Sequence, residues 1–465
     1  MSKPIGLNTI EKLHNIVGAN GSTTDPDIIA PHLSEWRGKY FGHTPMMLMP
    51  KSAQEISAIV KLADEEKFAI CTQGGNTGLV GAQIPFGEVL LSLKRMDAIR
   101  AINEADDSII AEAGVVLANV HAAVKNIDRQ FPVSLASNGS ATIGGLISTN
   151  AGGVRVRRYG MMRNQIMGLE VVLPNGEIMR ELSPLRKDNS GYDLKQLIIG
   201  AEGTLGIVTA ACLKLVPSAR NVFAAMASLD KVEDAINALR RLENETGAVS
   251  AFEIMNCQAF EYGLKNLVGS KNPLSKIAPF TALIEFECAA DTQNCENALM
   301  ALLGEGLFGE VAISQNIAQF EAFWQLREGM SAAQKPEGLA AKHDISVPIS
   351  AVSEFMKLAE MGANKIVPNV RIAAFGHIGD GNIHYDVLRP IEMHDDEYRK
   401  FIPSISHEIN NIAIGLGGSI SAEHGIGVAK RDEFLAREPS AQLSLMRKIK
   451  ALMDPNNILN PRVLV

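Results

Sequence analysis

The apolar positions along the chain change their spacing several times, and each change predicts a different element. Residues 7–18 predict an amphipathic helix, and residues 46–69 predict a strand, a turn and a second helix. Short apolar runs such as VLLSLKRM and IIAEAGVVL predict strands before Pro217. From about residue 218 helical and strand patterns alternate, as in VEDAINALRRLENETG followed by SAFEIMN and TALIEFEC. This alternation predicts a sheet with helices on one face.

Composition narrows the class of protein. The 465 residues are 46% hydrophobic and 21% charged, which is typical of a globular chain of two or three domains. A net charge of −8 argues against a nucleic-acid partner. The five cysteines include no C-x-x-C pair, which indicates reduced thiols in a cytoplasmic protein rather than a metal ribbon or disulfide framework. The N-terminus does not resemble a secretory signal, and no apolar run is long enough to predict a membrane span.

Three glycine-rich stretches precede residue 218. GGNTGLVG at 74–81 matches neither a dinucleotide fingerprint nor a P-loop, and alone it could be a tight surface turn. The stretch 131–153 contains SNGSATIGGLISTNAGG, and AEGTLGIV follows at 201–208. Runs of exposed backbone amides can surround a pyrophosphate. Together the stretches therefore predict an extended, phosphate-bearing cofactor.

A group of arginines follows the second glycine stretch. It consists of Arg155, Arg157, Arg158 and Arg163. One interpretation is a solvated charged surface. The other is a positive rim near the cofactor, or a docking patch for an anionic electron acceptor.

The segment AAFGHIGDGNIHYDV predicts a β-hairpin with two histidines. Asp380-Gly381 is a strong signal for a two-residue turn, and that turn pairs His377 directly with His384. Directly paired residues share a sheet face, and Asp386 lies on it as well. Two imidazoles so placed suit one metal ion, although purely structural histidines are the alternative.

The segment SAEHGIG places a glutamate directly before a histidine. Glu423 can supply an anionic ligand, and histidines with a carboxylate and an open position suit catalytic Zn²⁺ or a similar divalent ion. His424 faces the same cavity only if the backbone turns there. Gly425 and Gly427 permit that turn.

These motifs together resemble the FAD-linked D-2-hydroxy-acid dehydrogenases among the vanillyl-alcohol-oxidase-like flavoproteins. The similarity covers about residue 40 to the C-terminus, including the terminal DPNNILNP, and SAEHGIG and HIGDGNIHY look closest to D-2-hydroxyglutarate dehydrogenases. The resemblance implies an α+β protein with a two-part FAD-binding domain and an α+β cap with an antiparallel sheet. We expect an N-terminal helical segment at 1–45, the FAD-binding domain at 46–217, the cap at 218–415, and a C-terminal segment at 416–465 that completes the active site and returns to the FAD domain.

The resemblance also implies roles for individual residues. Metal ligands are His377, His384 and Glu423, and His424 is the catalytic base and a substrate-binding residue. Substrate-binding positions are Arg327, Ser331, Lys342 and Asp386. FAD-binding positions are Gly74, Gly75, Asn76, Thr77, Gly78, Ser137, Thr142, Gly145, Asn150, Gly152, Gly203, Ile207 and Asn460. No histidine in or just before GGNTGLVG suggests a covalent flavin link, so we expect non-covalent FAD and a divalent metal, Zn²⁺ being our first choice.

Two departures from the family pattern bear on the substrate. Ser331 stands where relatives often have Thr, so the hydroxyl is retained. Asp386 stands where the hydroxyglutarate enzymes are expected to have Asn, and its charge would repel a substrate carboxylate. The resemblance keeps D-2-hydroxyglutarate as the expected substrate, and D-lactate or D-malate are the alternative substrates. A further alternative is a role as the flavin subunit of a glycolate-oxidase-type assembly.

The chain has no haem motif or cysteine cluster, so its electrons should pass to an external acceptor such as an electron-transfer flavoprotein or a quinone. We expect a small 2-hydroxy acid as substrate, no nucleic acid, no membrane span and a cytoplasmic location. The assembly state stays open, with a homodimer among the options. A metal-binding α/β protein without redox function is the blander alternative.

Overall fold

The computed structural model describes residues 5–289 and 291–465. Residues 1–4 of the predicted N-terminal segment and residue 290 of the predicted cap lie outside the described residues. The chain divides into two units, and it passes from one to the other four times. Unit 1 contains Met1–Gly153, Tyr159–Ser218 and Glu423–Val465, and unit 2 contains Val154–Arg158 and Ala219–Ala422.

The helices alternate with strands along most of the chain. The α-helices are α1 (Leu7–Val17), α2 (Pro26–Ile29), α3 (Ala53–Glu66), α4 (Leu117–Val124), α5 (Ile143–Ser148), α6 (Val156–Tyr159), α7 (Met162–Gln165), α8 (Lys195–Ile198), α9 (Val232–Thr246), α10 (Cys257–Asn266), α11 (Gln293–Gly304), α12 (Ile317–Glu328), α13 (Met330–Ala333), α14 (Val352–Ile366), α15 (Asp395–Tyr398), α16 (Ile402–Gly415), α17 (Arg431–Arg437) and α18 (Ser440–Met453). The strands are β1 (Ser22–Thr23), β2 (Met47–Leu48), β3 (Ile70–Gln73), β4 (Val89–Ser92), β5 (Ile99–Asn103), β6 (Ser108–Glu112), β7 (Arg129–Gln130), β8 (Ile166–Val172), β9 (Ile178–Glu181), β10 (Ile207–Lys214), β11 (Val216–Pro217), β12 (Asn221–Leu229), β13 (Val249–Asn256), β14 (Phe280–Cys288), β15 (Val311–Ile313), β16 (Ala340–Ser346), β17 (Arg371–His377) and β18 (Asn382–Leu388).

Unit 1 holds two main sheets around one core. The first has the order β1-β2-β4-β3, with β2 and β3 parallel to β4, and the second is antiparallel with the order β5-β6-β10-β8-β9. Helix α3 confirms the helical pattern predicted within 46–69, because Ser52 caps its first turn by accepting from the Glu55 amide. Its apolar side joins strand residues of both sheets in a single hydrophobic cluster.

Unit 2 is built on a seven-stranded antiparallel sheet with the order β15-β12-β14-β13-β17-β18-β16. This confirms the antiparallel sheet expected for the cap. The prediction of helices on one face only was wrong. Helices α9, α11, α14 and α16 pack on one face, and α10, α12 and α13 pack on the other. The strands show why: in β12, Ala225 and Ala227 are buried on one face while Ala224 and Met226 are buried on the other.

The cysteines and the helix lengths agree with two expectations. All five cysteines are free, and the Sγ atoms of Cys288 and Cys295 lie 3.4 Å apart, well beyond a disulfide bond. Among the described residues, no helix has both the length and the apolar character needed to cross a bilayer.

Candidate active site

The first two glycine stretches of unit 1 contact each other. A Cβ on Gly74 would lie 2.3 Å from the Thr142 Oγ1, and one on Gly75 would lie 1.9 Å from the Ser140 carbonyl oxygen. The Gly75 distance excludes any larger side chain without a backbone shift, and the Gly74 distance would require the Thr142 hydroxyl to move. Glycine is therefore required where the loop after β3 approaches the loop before α5, and the structure brings these two predicted stretches together.

Polar atoms in these loops fit a polar ligand. The Oγ1 of Thr142 and the Oδ1 of Asn138 are buried and have no hydrogen-bond partner within the described chain. Buried polar atoms are rarely left unpaired, so these two indicate a missing ligand or water. Together with the close glycine backbones, they fit a cofactor that carries hydroxyl and phosphate groups.

Other predicted FAD residues have structural contacts of their own. The Asn76 side chain donates to the Ser34 carbonyl at 2.9 Å and accepts from Gln83 at 3.1 Å, which leaves mainly its backbone for a ligand. Asn150 accepts from the Arg163 amide, and the Ile207 side chain lies in the hydrophobic core. The remaining positions form part of the same glycine stretches: Thr77, Gly78, Ser137, Gly145, Gly152 and Gly203.

Glu202 connects the third glycine turn to three other predicted segments, and the sequence analysis missed it. Its amide donates to the Ser148 carbonyl and its carbonyl accepts from Asn460 Nδ2 at 2.7 Å. Its carboxylate accepts from the amides of Ile426 and Gly427, both at 2.8 Å. Burial raises the pKa of Glu202 to about 7, against the lowering effect of those two hydrogen bonds. The only sequence signal was an acidic residue inside a glycine turn.

The loop that follows Glu423 and His424 is tightly constrained. Gly425 and Gly427 have φ of +78° and +53°, so the predicted turn after His424 is present. A ligand atom of Glu423 and one of His424 lie within 4.8 Å of each other. Both residues are about half-buried, and they begin the third segment of unit 1.

In unit 2 the two hairpin histidines share a sheet face, but not in the predicted register. His377 pairs with Asn382, and His384 pairs with Phe375, so the prediction that the histidines pair directly was wrong. The turn contains four residues, 378–381, because Asp380 Oδ1 accepts from the Asn382 amide and Gly381 has φ +78°. The imidazoles are offset diagonally, with ring centroids 6.1 Å apart and nitrogen atoms within 4.8 Å.

Each histidine lies opposite a buried carboxylate on the next strand. Glu253 on β13 pairs with His377, and Asp344 on β16 pairs with His384. Glu253 accepts from the His377 Nδ1 in a short hydrogen bond, while the Asp344 Oδ1 lies 4.0 Å from the His384 Nδ1. Neither acid was predicted, since Glu253 and His377 are 124 positions apart and no local pattern links them. The four residues form a polar row across β13, β17, β18 and β16.

The predicted carboxylate-binding residues lie on this same face. Arg327, near the end of α12, donates from Nε to the Glu253 Oε2 at 2.7 Å, and its guanidinium lies 4.9 Å from the Phe375 ring centre. Burial opposes ionisation of Glu253, but the charge of Arg327 and the hydrogen bonds from Arg327 and His377 outweigh it and hold its pKa at about 2. The Lys342 Nζ lies 3.2 Å from the Asp386 Oδ2.

Ser331 completes this group through Lys342. The Lys342 Nζ is 3.4 Å from the Ser331 Oγ, so the serine hydroxyl, the ammonium and the Asp386 carboxylate are contiguous. Asp386 is 3% exposed, and its negative charge therefore offsets that of Lys342 in a low-dielectric setting. The departure noted in the sequence thus has a direct consequence for the charge of this face.

The arginines of this group make ion pairs and hydrogen bonds that neither interpretation predicted. Arg155 binds Glu285 at 2.8 Å and Glu287 at 3.1 Å, and both glutamates are almost fully buried in β14. Arg157 pairs with Glu243, Arg158 lies 3.6 Å from Glu287, and Arg163 donates to backbone carbonyls of residues 196 and 199. The first three therefore attach residues 154–158 to unit 2.

Comparisons with known proteins agree with this architecture. Residues 45–181 match the model of the FAD binding domain, and residues 217–464 match the model of the C-terminal domain of FAD linked oxidases. A probable mitochondrial D-2-hydroxyglutarate dehydrogenase from Oryza sativa subsp. indica is 36% identical, covering 98% of this chain and 81% of its own. A D-2-hydroxyglutarate dehydrogenase from Stutzerimonas stutzeri is 34% identical over 97% of both chains.

Solved structures show the same fold at low identity. The p-cresol methylhydroxylase structure superposes with a TM-score of 0.77 at 15% identity, covering 99% of this chain and 98% of the other. An alkyldihydroxyacetonephosphate synthase superposes with a TM-score of 0.75 at 16% identity, covering 99% and 87%. The fold expected from the sequence, a vanillyl-alcohol-oxidase-type FAD-binding fold with a large antiparallel sheet in the C-terminal domain, is confirmed. The chain belongs to the FAD-linked oxidase family and is an FAD-dependent oxidoreductase of the D-2-hydroxyglutarate dehydrogenase type.

Proposed function

We propose that this enzyme oxidises D-2-hydroxyglutarate to its 2-oxo acid. The observation that carries the proposal is the polar face of the unit 2 sheet, where His377 and His384 lie together with the cations Arg327 and Lys342. A guanidinium can bind one carboxylate in two-point fashion, and an ammonium can bind a second as a point charge. A five-carbon acid with a carboxylate at each end matches such a pair. The names of the full-length relatives support the same substrate.

We further propose that Glu423 joins His377 and His384 as the third ligand of a divalent metal, Zn²⁺ in the first instance. The position of Glu423 directly after Ala422 in the chain supports its assignment as a ligand. The amide of Ala422, the last residue of unit 2, donates to the Asp344 carbonyl, and Asp344 pairs with His384. Glu423 follows by one peptide bond. Two neutral imidazoles and one carboxylate are a donor set that Zn²⁺ accepts while keeping an open position.

The chain's own residues have separate tasks in this mechanism. When bound, the metal would supply polarisation of the substrate oxygens, and FAD would supply the acceptor for the hydride from the α-carbon. His424 accepts the hydroxyl proton at an imidazole nitrogen, a group commonly used as a general base in enzymes. Arg327 retains Nη1 for a substrate carboxylate after Nε and Nη2 bind Glu253. Lys342 and Ser331 orient the other carboxylate.

A second candidate substrate class follows from Asp386. Its contact with Lys342 reduces the positive charge available to a distal carboxylate, which favours D-lactate, an acid without one, and after it D-malate, whose second carboxylate lies one carbon nearer than that of D-2-hydroxyglutarate. We expect Asp386→Asn to raise kcat/KM for D-2-hydroxyglutarate and to leave that for D-lactate within about twofold, since an unpaired Lys342 attracts only the diacid. A parallel change for both acids would contradict this specificity role.

We propose that electrons leave to an external acceptor, either an electron-transfer flavoprotein or a quinone, and that the enzyme acts in the cytoplasm. The purified chain should reduce an artificial dye by itself. Activity that appears only after a second subunit is added would instead favour the glycolate-oxidase-type assembly. A homodimer is compatible with either result, and sedimentation analysis would identify it.

A substrate panel with a dye acceptor tests the proposed function. D-2-hydroxyglutarate, D-malate, D-lactate and glycolate are compared before and after chelation and after metal is restored. We expect the highest kcat/KM for D-2-hydroxyglutarate, a loss on chelation and recovery with Zn²⁺. His377→Ala and His424→Ala should each lower kcat by at least about 100-fold with FAD still bound. His394→Ala, an exposed histidine of unit 2, is the matched control, and wild-type turnover by both site variants would refute the mechanism.

A further inference from the structure

Glu253 contacts two residues to which the proposed mechanism assigns different functions. Its carboxylate is fully buried in β13, and each oxygen has its own partner. The Oε1 accepts from the Nδ1 of His377, and the Oε2 accepts from the Nε and Nη2 of Arg327. One side chain thus contacts both a proposed metal ligand and a proposed carboxylate-binding cation.

The contact to His377 determines which ring nitrogen can bind a metal. A carboxylate can only accept, so the Nδ1 of His377 must carry the hydrogen. The lone pair is then on Nε2, so Nε2 is the ring nitrogen that can act as a metal ligand. Partners of this kind orient metal-binding imidazoles in many proteins, and their removal weakens metal affinity by about 10–100-fold.

The contact to Arg327 fixes the guanidinium in the same way. Arg327 is 6% exposed and lies over Phe375, so it has little freedom once Glu253 holds two of its nitrogens. The guanidinium is planar, and its orientation by Glu253 therefore also sets the direction of Nη1. Any shift of the Glu253 side chain would move both partners together.

We infer that Glu253 is a positioning residue that couples metal affinity to recognition of the substrate carboxylate. The inference rests on the proposed function, because it takes His377 as a metal ligand and Arg327 as a substrate contact. Register pairing of Glu253 with His377 makes the arrangement part of the sheet itself. Metal loading should then strengthen substrate binding beyond the direct effect of the ion.

Glu253→Gln separates the two contacts because an amide has only one acceptor oxygen. If that oxygen faces Arg327, the amide nitrogen faces His377 and forces the hydrogen onto Nε2, which blocks ligation. If the amide is reversed, its nitrogen faces the donors of Arg327. The variant can therefore satisfy only one partner at a time, and because one side chain orients both partners, it should weaken metal binding and raise KM together.

The test measures Zn²⁺ affinity of the metal-free holoflavoprotein by competition with a chromophoric chelator, together with KM for D-2-hydroxyglutarate. We expect Glu253→Gln to weaken Zn²⁺ binding by about 10–100-fold and to raise KM by at least about tenfold. Glu285→Gln is the matched control, since Glu285 is a buried acid of the same sheet that binds Arg155 instead. It should leave both constants within about twofold of wild type.

Glu253→Asp gives a second measurement if the glutamine variant does not fold. The shorter carboxylate keeps the charge but cannot reach both partners, so both constants should change in the same direction by less. Wild-type constants in a folded, flavin-loaded Glu253 variant would overturn the coupling while leaving the proposed function intact. A wild-type enzyme that binds no divalent metal would overturn both, and the two failures are therefore distinct.

Discussion

Replacement of Glu202 by glutamine should make the stability of the enzyme less sensitive to pH. Burial raises the pKa of Glu202 from 4.5 to about 7, so the folded state binds this proton more tightly than the unfolded chain does. The stabilising effect of the proton is complete below about pH 4.5 and is lost as the pH rises towards 7. Linkage then lowers the free energy of unfolding of the wild-type enzyme by about 2 kcal/mol between about pH 5.5 and about pH 8.5. The glutamine variant lacks this decrease because its side chain does not ionise.

Thermal unfolding of the two proteins at both pH values measures this loss. Glutamine leaves one of the Ile426 and Gly427 amides without an acceptor, but that deficit does not depend on pH and cancels in the comparison. We expect the Tm of Glu202→Gln relative to wild type to increase by about 2–4 °C from low to high pH. Glu104→Gln, at an exposed site of unit 1, should show no such trend. An unchanged difference in Tm would refute the role of burial.

Three further substitutions test contacts described above. Gly75→Ala should yield protein with less than about half the wild-type flavin content by visible absorbance, because its Cβ would lie 1.9 Å from the Ser140 carbonyl oxygen; full flavin content would contradict this. Gly381→Ala should lower the free energy of unfolding by at least about 1 kcal/mol, since φ is +78° and its Cβ would lie 2.0 Å from the Val347 oxygen; an unchanged Tm would exclude that strain. Arg155→Ala should cost about 3–5 kcal/mol by removing the cation that binds both Glu285 and Glu287; calorimetry showing a loss below about 1 kcal/mol would argue against it.

Periodicity predicted the long elements well because their burial follows the chain's own spacing. The pattern VEDAINALRRLENETG became α9, and SAFEIMN became β13. The Asp380-Gly381 dipeptide led to the wrong hairpin register because it suits turns of two or of four residues. The hydrogen bond from the Asn382 amide to the Asp380 Oδ1 favours the four-residue turn. Glu253 and Glu202 were missed since strand order and loop contacts, not neighbouring residues, bring them to their partners.

The segment Val154–Arg158 limits how this enzyme can be divided into fragments and how it can fold during synthesis. It precedes the rest of unit 2 by about 60 residues, yet Arg155 supplies the cation for Glu285 and Glu287. A recombinant fragment of residues 219–422 would retain the seven strands but would carry two buried charges without compensation. During synthesis, residues 154–158 emerge before β14 and can make these contacts only after β14 has been synthesised. Grafting this cap onto another flavoprotein would therefore require transfer of that short segment as well.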